Sequence, residues 1–472
     1  MEPGAVRAAG IAQAGRQVRD ATAASSLVLL LALAAAAFGQ GAFFGTLRVF
    51  IAVLLLIAVV LAITDRSVQV ADLRSGVVLS GLLLAGWALV RAWAAGTPAS
   101  GVTWALFGAG TVAVTLVSRR VSSVSREMLL GGLLAVGVAV ALAGWLGVAL
   151  HLRPWGLPSQ GLWRAASTLT YANATAGLLV PLALVALARL TATPRAIPLS
   201  LALMCLLTST GATLSRAGIG ALAGGLLVLC WLLGARRVAR ALAVPAVGTC
   251  VALFGLLPSV RHGAPARPVY AAVAMAVGLG LVIAAQRSAT WRWKLVLPGV
   301  GVALAAALLV IFLVPQVHHA VRRLVHTRLT LASAARSGEA AAAIRLIARH
   351  PLAGVGPGHA LRWTSLGGAV SVDQYAHDEY LQVFTDLGII GGALAAILLV
   401  AAGRLLWRAR AVSPDRALWA GAVAAAIAFA VHSGFDFLWQ VPAIPLIVAA
   451  LVGLALCQPS ARQHEPPGEP AP

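Results

Sequence analysis

His377 is the residue of this chain best placed to act as a general base. It opens the run His377-Asp378-Glu379-Tyr380, where a polar loop passes into an apolar helix. The positive end of a helix disfavours an imidazolium ion, so we expect a neutral ring that accepts a proton. Asp373, in the preceding turn, is placed to orient that ring. The alternative is an ordinary surface histidine at a membrane interface.

Two arginines have the chemistry of phosphate ligands. Arg216 follows Thr210-Gly211-Ala212-Thr213-Leu214-Ser215, between two apolar runs, and Arg164 belongs to a polar stretch that begins at Gly161 and ends at Ala174. A guanidinium group stays charged and binds two phosphate oxygens at once, so a buried diphosphate would explain Arg216. The alternative is that Arg216 extends along its helix into the interface.

Other polar residues, which follow His377 or Arg164 in the sequence or form a late cluster, are candidate substrate or acceptor contacts. They are Asp378, Glu379 and Tyr380 after the histidine, Asn173 after Arg164, and His432 and Asp436 in a late cluster that also holds Trp439. A hydrogen-bond network at helix ends is an equal alternative for the late cluster.

The sequence predicts neither a metal nor another cofactor. His377, Asp378 and Glu379 are consecutive, so on a helix they point around the axis and not to one face. The alternating glycines of Gly354–Gly358 lack the preceding strand and following lysine of a nucleotide-phosphate loop. The four cysteines lie in apolar runs without paired spacing and are predicted to be packing residues.

The segment that carries His377 is a polar island between about residues 315 and 392. Ser337-Gly338-Glu339 has the form of a helix start, and His350-Pro351 should end that helix after Arg349. A tight turn at Gly354–Gly358 follows, then an irregular segment with Trp363, and then the helix entered at His377.

The rest of the chain has the composition of a membrane protein. Hydrophobic residues make up 60% of the 472 positions, charged residues only 10%, and the mean hydropathy is +0.92. A water-soluble fold is therefore excluded. The net charge of +21 would suggest nucleic acid in a soluble protein. Here the arginines stand between apolar runs, where they set topology, and we expect no nucleic-acid partner.

Apolar runs of the length that a bilayer requires occur about fourteen times. They lie near 25–44, 48–64, 76–93, 102–118, 128–150, 174–189, 196–213, 217–234, 240–258, 269–286, 294–315, 381–403, 417–434 and 443–458. The predicted fold is an all-α polytopic membrane protein with about 12–14 transmembrane helices and one long extracytoplasmic loop containing short helices.

Charge fixes the predicted orientation. With a cytoplasmic N-terminus, 21 of the 35 basic residues fall on the inner side and 14 on the outer side, half of the latter in the island. The predicted regions are a cytoplasmic segment 1–24, helices 1–11 in 25–315, an outer catalytic loop 316–380, helices 12–14 in 381–458 and a disordered cytoplasmic tail 459–472. This orientation puts four polar clusters on the outer side: 153–173, 209–216, the island and 432–436. They are therefore able to converge.

The order of signals in the island resembles the O-antigen ligase and polymerase family. In that family a short helix, an "hPlxGvGpg" turn and an "H(N/D)xxLxxxxxxGxxGg" helix form an extracytoplasmic catalytic loop. Pro351–Gly358 and His377–Gly391 match the two motifs in order and spacing. Arg216 resembles the arginine of the family's "SR(g/a)G" motif. Arg164 fits a second motif less closely, because Ala172 stands where proline is usual and a glycine is missing.

The resemblance implies a C-type membrane glycosyltransferase of the plasma membrane, with its active site facing outside the cytoplasm. Its donor would be a glycan on a polyprenyl diphosphate, and its acceptor a glycan, lipid or protein. It implies His377 as the catalytic residue, Arg216 and Arg164 as ligands of the lipid diphosphate, and inverting transfer without a metal. The rival prediction is a lipid-linked-sugar flippase or other transporter, and a scaffold without catalysis is a third. The ionisable residues fall at helix ends and not at mid-span, which disfavours transport.

Overall fold

The computed structural model describes residues 23–64, 68, 75–288, 334–364 and 370–457. The helices, in chain order, are α1 (Ala23–Phe38), α2 (Gly45–Thr64), α3 (Gly76–Ala94), α4 (Pro98–Arg119), α5 (Ser123–Ala149), α6 (Ala172–Ala192), α7 (Ile197–Ala212), α8 (Arg216–Leu233), α9 (Ala235–Val260), α10 (Pro268–Arg287), α11 (Ala334–Arg349), α12 (Glu379–Arg408), α13 (Arg416–Ser433) and α14 (Ala443–Ala455). Two short antiparallel hairpins complete the fold: β1 (Gly156–Ser159) with β2 (Leu162–Ala165), and β3 (Leu361–Thr364) with β4 (Val370–Asp373).

The protein is an all-α polytopic membrane protein, as the sequence predicts. Ten of the helices in the described ranges are long and apolar enough to cross a bilayer, and α1, α7 and α14 are shorter apolar helices. Each coincides within a few residues with one of the predicted runs. The predicted span 294–315 lies outside the described residues, as do nearly all of segment 1–24, residues 316–333 of the predicted loop and the tail 459–472.

Short polar residues start several of these helices. The hydroxyl or carboxylate of the residue before the helix accepts a hydrogen bond from a backbone N–H of the first turn. Ser122 does this for α5, Ser215 for α8, Asp378 for α12 and Asp415 for α13. These caps at Ser215 and Asp378 fix the backbone beside Arg216 and His377.

The centre of the bundle is α6, most of whose side chains are buried. It packs against α7, α8 and α13, while α14 packs against α4, and α3 against α12. Because α6 is apolar on all sides, helices cover it all round. The helices α9 and α10 pair with each other at one flank, around Ala252 and Met275.

The four predicted polar clusters meet at one end of this bundle. Arg164 donates to the carbonyl of Thr213, and the hydroxyl of Tyr171 donates to Asp436. From the island, Arg336 lies 3.9 Å from the same carboxylate. The convergence is therefore confirmed, and we call this end the polar end.

The island differs from its prediction in two details. Helix α11 already runs from Ala334, so Ser337 lies inside the helix and the predicted start at Ser337 is wrong. The segment around Trp363, predicted to be irregular, forms the β3–β4 hairpin. Glu339, in the second turn of α11, is buried.

Candidate functional site

His377 lies between β4 and α12 and is bound to Glu339. Its Nδ1 is 3.0 Å from Glu339 Oε2, with the histidine side chain 26% exposed and the glutamate only 5%. The ring also meets the ring of Phe437 edge to face, with centroids 5.0 Å apart. In the neutral form the proton on Nδ1 donates to Glu339, which leaves the Nε2 lone pair able to accept a proton. Among the described residues, Nε2 has no hydrogen-bond partner.

The electrostatics of His377 differ from the prediction. Burial lowers the pKa of His377, but the hydrogen bond to Glu339 and the charges of Asp436 and Glu339 outweigh it, so the net pKa is raised. The expected stabilisation of the neutral ring by a helix end is therefore wrong. Helix α12 begins two residues later, and Asp378 already accepts from the N–H groups of its first turn.

The orienting acid is also not the predicted one. Asp373 accepts from the indole N–H of Trp363 at 2.6 Å, so it fastens the β3–β4 hairpin. Glu339 on α11 holds the imidazole instead. Sequence reasoning treated Glu339 only as part of a helix start, because its contact depends on how α11 packs against the loop.

Arg164 and Arg216 lie near each other at the polar end, together with Arg336. Burial lowers the pKa of Arg164, the nearby Tyr171 and Asp436 raise it, and the charges of Arg336 and Arg216 lower it further. Arg164 donates to the carbonyl of Thr213 and to the side-chain oxygen of Asn173, both at 2.8 Å. Arg336 is a site residue that the sequence did not single out. It stands three positions before Glu339, a spacing that puts both on one face of α11.

Arg216 has an unused donor. Its Nη1 is buried and makes no hydrogen bond to any described residue. A buried guanidinium nitrogen without an acceptor costs free energy, so the position suits an anionic ligand. The charges of Arg216 and Arg336 both act on Arg164, beside the carboxylate of Asp436, and such a group of arginines also fits an anion.

Asp436 joins the polar segments. It is fully buried and accepts from the hydroxyl of Tyr171 and from the amide nitrogen of Asn173. Asn173 in turn accepts from Arg164, so Asp436 orients that arginine through an amide. Phe437, the next residue, stacks between Tyr171 and Tyr375, with ring centroids 5.1 and 4.8 Å away.

The other predicted contact residues have different surroundings. Glu379 is fully buried, and its carboxylate accepts from the backbone N–H groups of Trp439 and Gln440, so it ties α12 to the start of α14. Tyr380 donates its hydroxyl to the carbonyl of Ala430. His432 is buried beside Asp436, and neither ring nitrogen has a partner among the described residues.

The glycine turn, Gly354–Gly358, and the residues just before it are hydrogen-bonded to the helix that follows His377. Helix α12 is interrupted at Gly388, whose backbone (φ 64°, ψ −165°) lies in a region essentially restricted to glycine. The interruption frees backbone groups, and segment 351–356 pairs with them. The four bonds are Val355 N–H to Thr385 O at 2.9 Å, Gly356 N–H to Asp386 O at 2.9 Å, Ile389 N–H to Pro351 O at 2.8 Å and Ile390 N–H to Leu352 O at 3.3 Å.

Helix α3 holds this junction from the other side. Arg91 donates to the carbonyls of Ala353 and Gly354 at 2.8 and 2.9 Å, and the indole of Trp87 donates to the carbonyl of Leu387 at 3.0 Å. The turn therefore has a structural explanation, in that it satisfies a broken helix inside the bundle. Nothing in the sequence of α3 marks Arg91 for this contact.

Asp386 is a buried ionisable residue inside α12. It is fully buried about two turns into the helix, where it accepts from the indole of Trp104 at 3.1 Å and from Gln382 at 2.9 Å. Both of its oxygens are thus used to fix the region before the Gly388 interruption. This contact gives the carboxylate a structural role and adds no support for an ion relay.

A multi-pass helical membrane protein whose polar end holds a carboxylate-bound histidine beside an excess of arginine is suited to substrates that carry phosphate near the bilayer. A family model described as O-antigen ligase matches residues 269–396, which include α11, the glycine turn, His377 and the interrupted start of α12. The match confirms the resemblance and supports the assignment of the chain to the O-antigen ligase and polymerase family. The family indicates glycan transfer of the ligase or polymerase type. No curated protein matches the chain.

Proposed function

We propose that this protein transfers a glycan from a polyprenyl-diphosphate-linked donor to an acceptor hydroxyl at the outer face of the plasma membrane. The main support is the pair of Glu339 and His377 near a half-buried group of arginines, in which the Nη1 of Arg216 has no hydrogen-bond partner among the described residues. A base and an anion site side by side are what displacement of a diphosphate by a hydroxyl requires.

In this proposal His377 is the general base. The acceptor oxygen attacks the anomeric carbon, its proton passes to His377 Nε2, and the bond between that carbon and the diphosphate oxygen breaks. Glu339 stabilises the imidazolium that forms, because its carboxylate already accepts from Nδ1. The raised pKa of His377 makes the ring a stronger base, while less of it is unprotonated in mildly acidic solution.

Arg216, Arg164 and Arg336 bind the leaving diphosphate and neutralise its negative charge. The unpaired Nη1 of Arg216 is a donor ready for a phosphate oxygen, and Arg164 is held in place by Thr213 and Asn173. Arginines able to neutralise the leaving group make a metal unnecessary in this mechanism. A single displacement inverts the configuration at the anomeric carbon.

The test of the base is His377→Ala. We expect turnover to fall by roughly 10² to 10⁴-fold with donor binding nearly intact, because proton acceptance matters mainly in the transition state. The rate of the wild type should fall on acidification, and this acid limb should vanish in the variant. His350→Ala, an exposed histidine on the same loop, is the matched control. Loss of donor binding with unchanged turnover would instead make His377 a substrate ligand.

The orientation has its own test. A reporter fused after Ser371 should be active only outside the cytoplasm, and one fused after Arg410 only inside, as the distribution of basic residues predicts. Cytoplasmic behaviour of the Ser371 fusion would place the polar end on the wrong side for this function.

Ligase and polymerase share the donor chemistry and differ in the acceptor. A deletion strain that accumulates full-length polymer on the lipid carrier would indicate a ligase, whereas surface glycan of reduced chain length would indicate a polymerase. A strain with unchanged surface glycan and no accumulated lipid-linked glycan would contradict both forms of the proposal.

A further inference from the structure

A second concentration of positive charge lies at the polar end, on the segments that flank the β1–β2 hairpin. We define the cationic surface as Arg153, Arg261 and Arg267, together with the neighbouring rings of His151 and His262. Arg153, His262 and Arg267 are exposed, and the other two are half-buried. None of these residues takes part in the site described above.

The surface is rigidly built around Trp163. The ring of His151 stacks on the indole with centroids 4.3 Å apart, while its Nε2 bonds the carbonyl of Ser259 at 2.8 Å. The guanidinium carbon of Arg153 lies 5.9 Å from the centroid of Trp163, and the ring of His262 lies 6.0 Å from it. Cation–π and stacking contacts of this kind hold the groups in place before any ligand arrives.

The loop between α9 and α10 is fastened to the same hairpin. The backbone N–H of His262 donates to the carbonyl of Gly161 at 3.0 Å, and the backbone of Arg261 forms an isolated antiparallel β-bridge with that of Leu162. The N–H of Arg267 donates to the hydroxyl of Ser259 at 2.9 Å. Two separate parts of the chain, the segment between α5 and β1 and the loop between α9 and α10, thus present cations on one preorganised surface.

No carboxylate among the described residues pairs with the arginines of this surface. No Asp or Glu occurs between residues 128 and 338 of the sequence, and in the described ranges Arg153, Arg261 and Arg267 form no ion pair. Arg267 also precedes the first turn of α10, where the helix dipole disfavours a cation. If this side is outside the cytoplasm, arginines here further oppose the usual distribution of charge. These arginines are therefore available to an anionic ligand.

We propose that the cationic surface binds an anionic glycan, a chain of sugars that carry carboxylate or phosphate groups, beside the transfer site. Trp163 and Arg164 are consecutive on β2, so their side chains lie on opposite faces of the hairpin. One face belongs to the cationic surface and the other contributes to the candidate diphosphate site. A glycan that reaches the transfer site can therefore extend over the hairpin. This assignment rests on the proposed function for its orientation and its ligand class.

A glycan fits the surface better than lipid headgroups do. The exposed cations stand on the segments beyond the ends of α5 and α9, and not on the lipid-facing sides of the helices. Trp155, 37% exposed on the same stretch, offers an aromatic edge to a sugar ring. Spread over two segments, the cations suit repeated charges along a chain rather than one compact headgroup.

Binding by the purified full-length protein tests the proposal without any donor or activity. The probes are oligogalacturonate, which carries a carboxylate on each sugar, and a neutral malto-oligosaccharide of equal length, both added to protein in nanodiscs of neutral phosphatidylcholine. We expect salt-sensitive binding of oligogalacturonate only. The double variant Arg153→Ala/Arg267→Ala should bind it weaker by on the order of tenfold, since it loses two surface ion pairs. Should that variant fail to fold, Arg153→Gln/Arg267→Gln replaces it.

The matched control is Arg236→Ala/Arg237→Ala, which removes the same charge from exposed arginines at the opposite end. An equal loss in this control, or equal binding of the neutral glycan, would overturn the proposal. The proposal would also be overturned if the double variant of the cationic surface bound anionic-lipid nanodiscs more weakly but bound oligogalacturonate as the wild type does. The ligand would then be a lipid headgroup. Binding should persist in Arg216→Ala, so a failure of the proposed function and a failure of this surface are distinguishable.

Discussion

Replacing Gly388 by alanine should loosen the loop that carries His377. At Gly388 the backbone conformation costs another residue about 1–3 kcal/mol. An added Cβ would stand 2.3 Å from the carbonyl oxygen of Leu352 and 2.5 Å from the nitrogen of Ala353. These are backbone atoms that cannot rotate away, so segment 351–356 must move. The two bonds from Ile389 and Ile390 to that segment then weaken, each contributing about 0.5–1.5 kcal/mol.

Together these effects amount to about 2–6 kcal/mol for the docking of the turn on α12. Since 1.4 kcal/mol is a factor of ten in an equilibrium constant, the open form of the loop should become at least roughly thirty times more populated. Glycan transfer should fall by a similar factor, because a displacement of about 1 Å at a catalytic group costs about 10²-fold in rate.

The assay is limited tryptic cleavage after Arg349 or Arg362 in membranes, followed over time alongside glycan transfer. The matched control is Gly403→Ala on the same helix, where an added Cβ meets nothing within 4 Å. Wild-type rates of cleavage and transfer in Gly388→Ala would refute the claim that the turn and the interruption form one structural unit.

Three further changes test the site. Since the carboxylate of Glu339 raises the pKa of His377, Glu339→Gln should lower that pKa and move the acid limb of the pH–rate profile to lower pH; an unmoved limb would mean that another group titrates. Arg91→Ala removes two hydrogen bonds from a charged donor, about 1.5–3 kcal/mol each, and should increase tryptic cleavage of the loop, with partial rescue by Arg91→Lys. Equal cleavage in the wild type and both variants would show that Arg91 does not hold the turn in place. Arg216→Lys keeps the charge but loses the planar fork, so transfer should drop substantially while the protein still accumulates in the membrane; full activity in both Arg216→Ala and Arg164→Ala would remove both arginines from the mechanism.

The sequence by itself determined the class of fold and singled out the loop that carries the candidate site. Apolar runs of bilayer length predict helices whatever their neighbours are, because a chain in lipid must satisfy its backbone internally. Motif order in the island similarly carried the family resemblance that the match over residues 269–396 supports, and it singled out His377 as the candidate base. The distribution of arginines grouped the polar segments that Arg164, Tyr171 and Asp436 bring into contact.

Only the tertiary structure decided which polar groups meet. Glu339 and not Asp373 holds His377, because α11 packs its inner face against the loop, and this contact reverses the expected direction of the pKa of His377. The same holds for Arg91, some 260 positions from its acceptors at Ala353 and Gly354. Such contacts depend on how helices far apart in sequence pack side by side, and local sequence patterns carry no information about that packing.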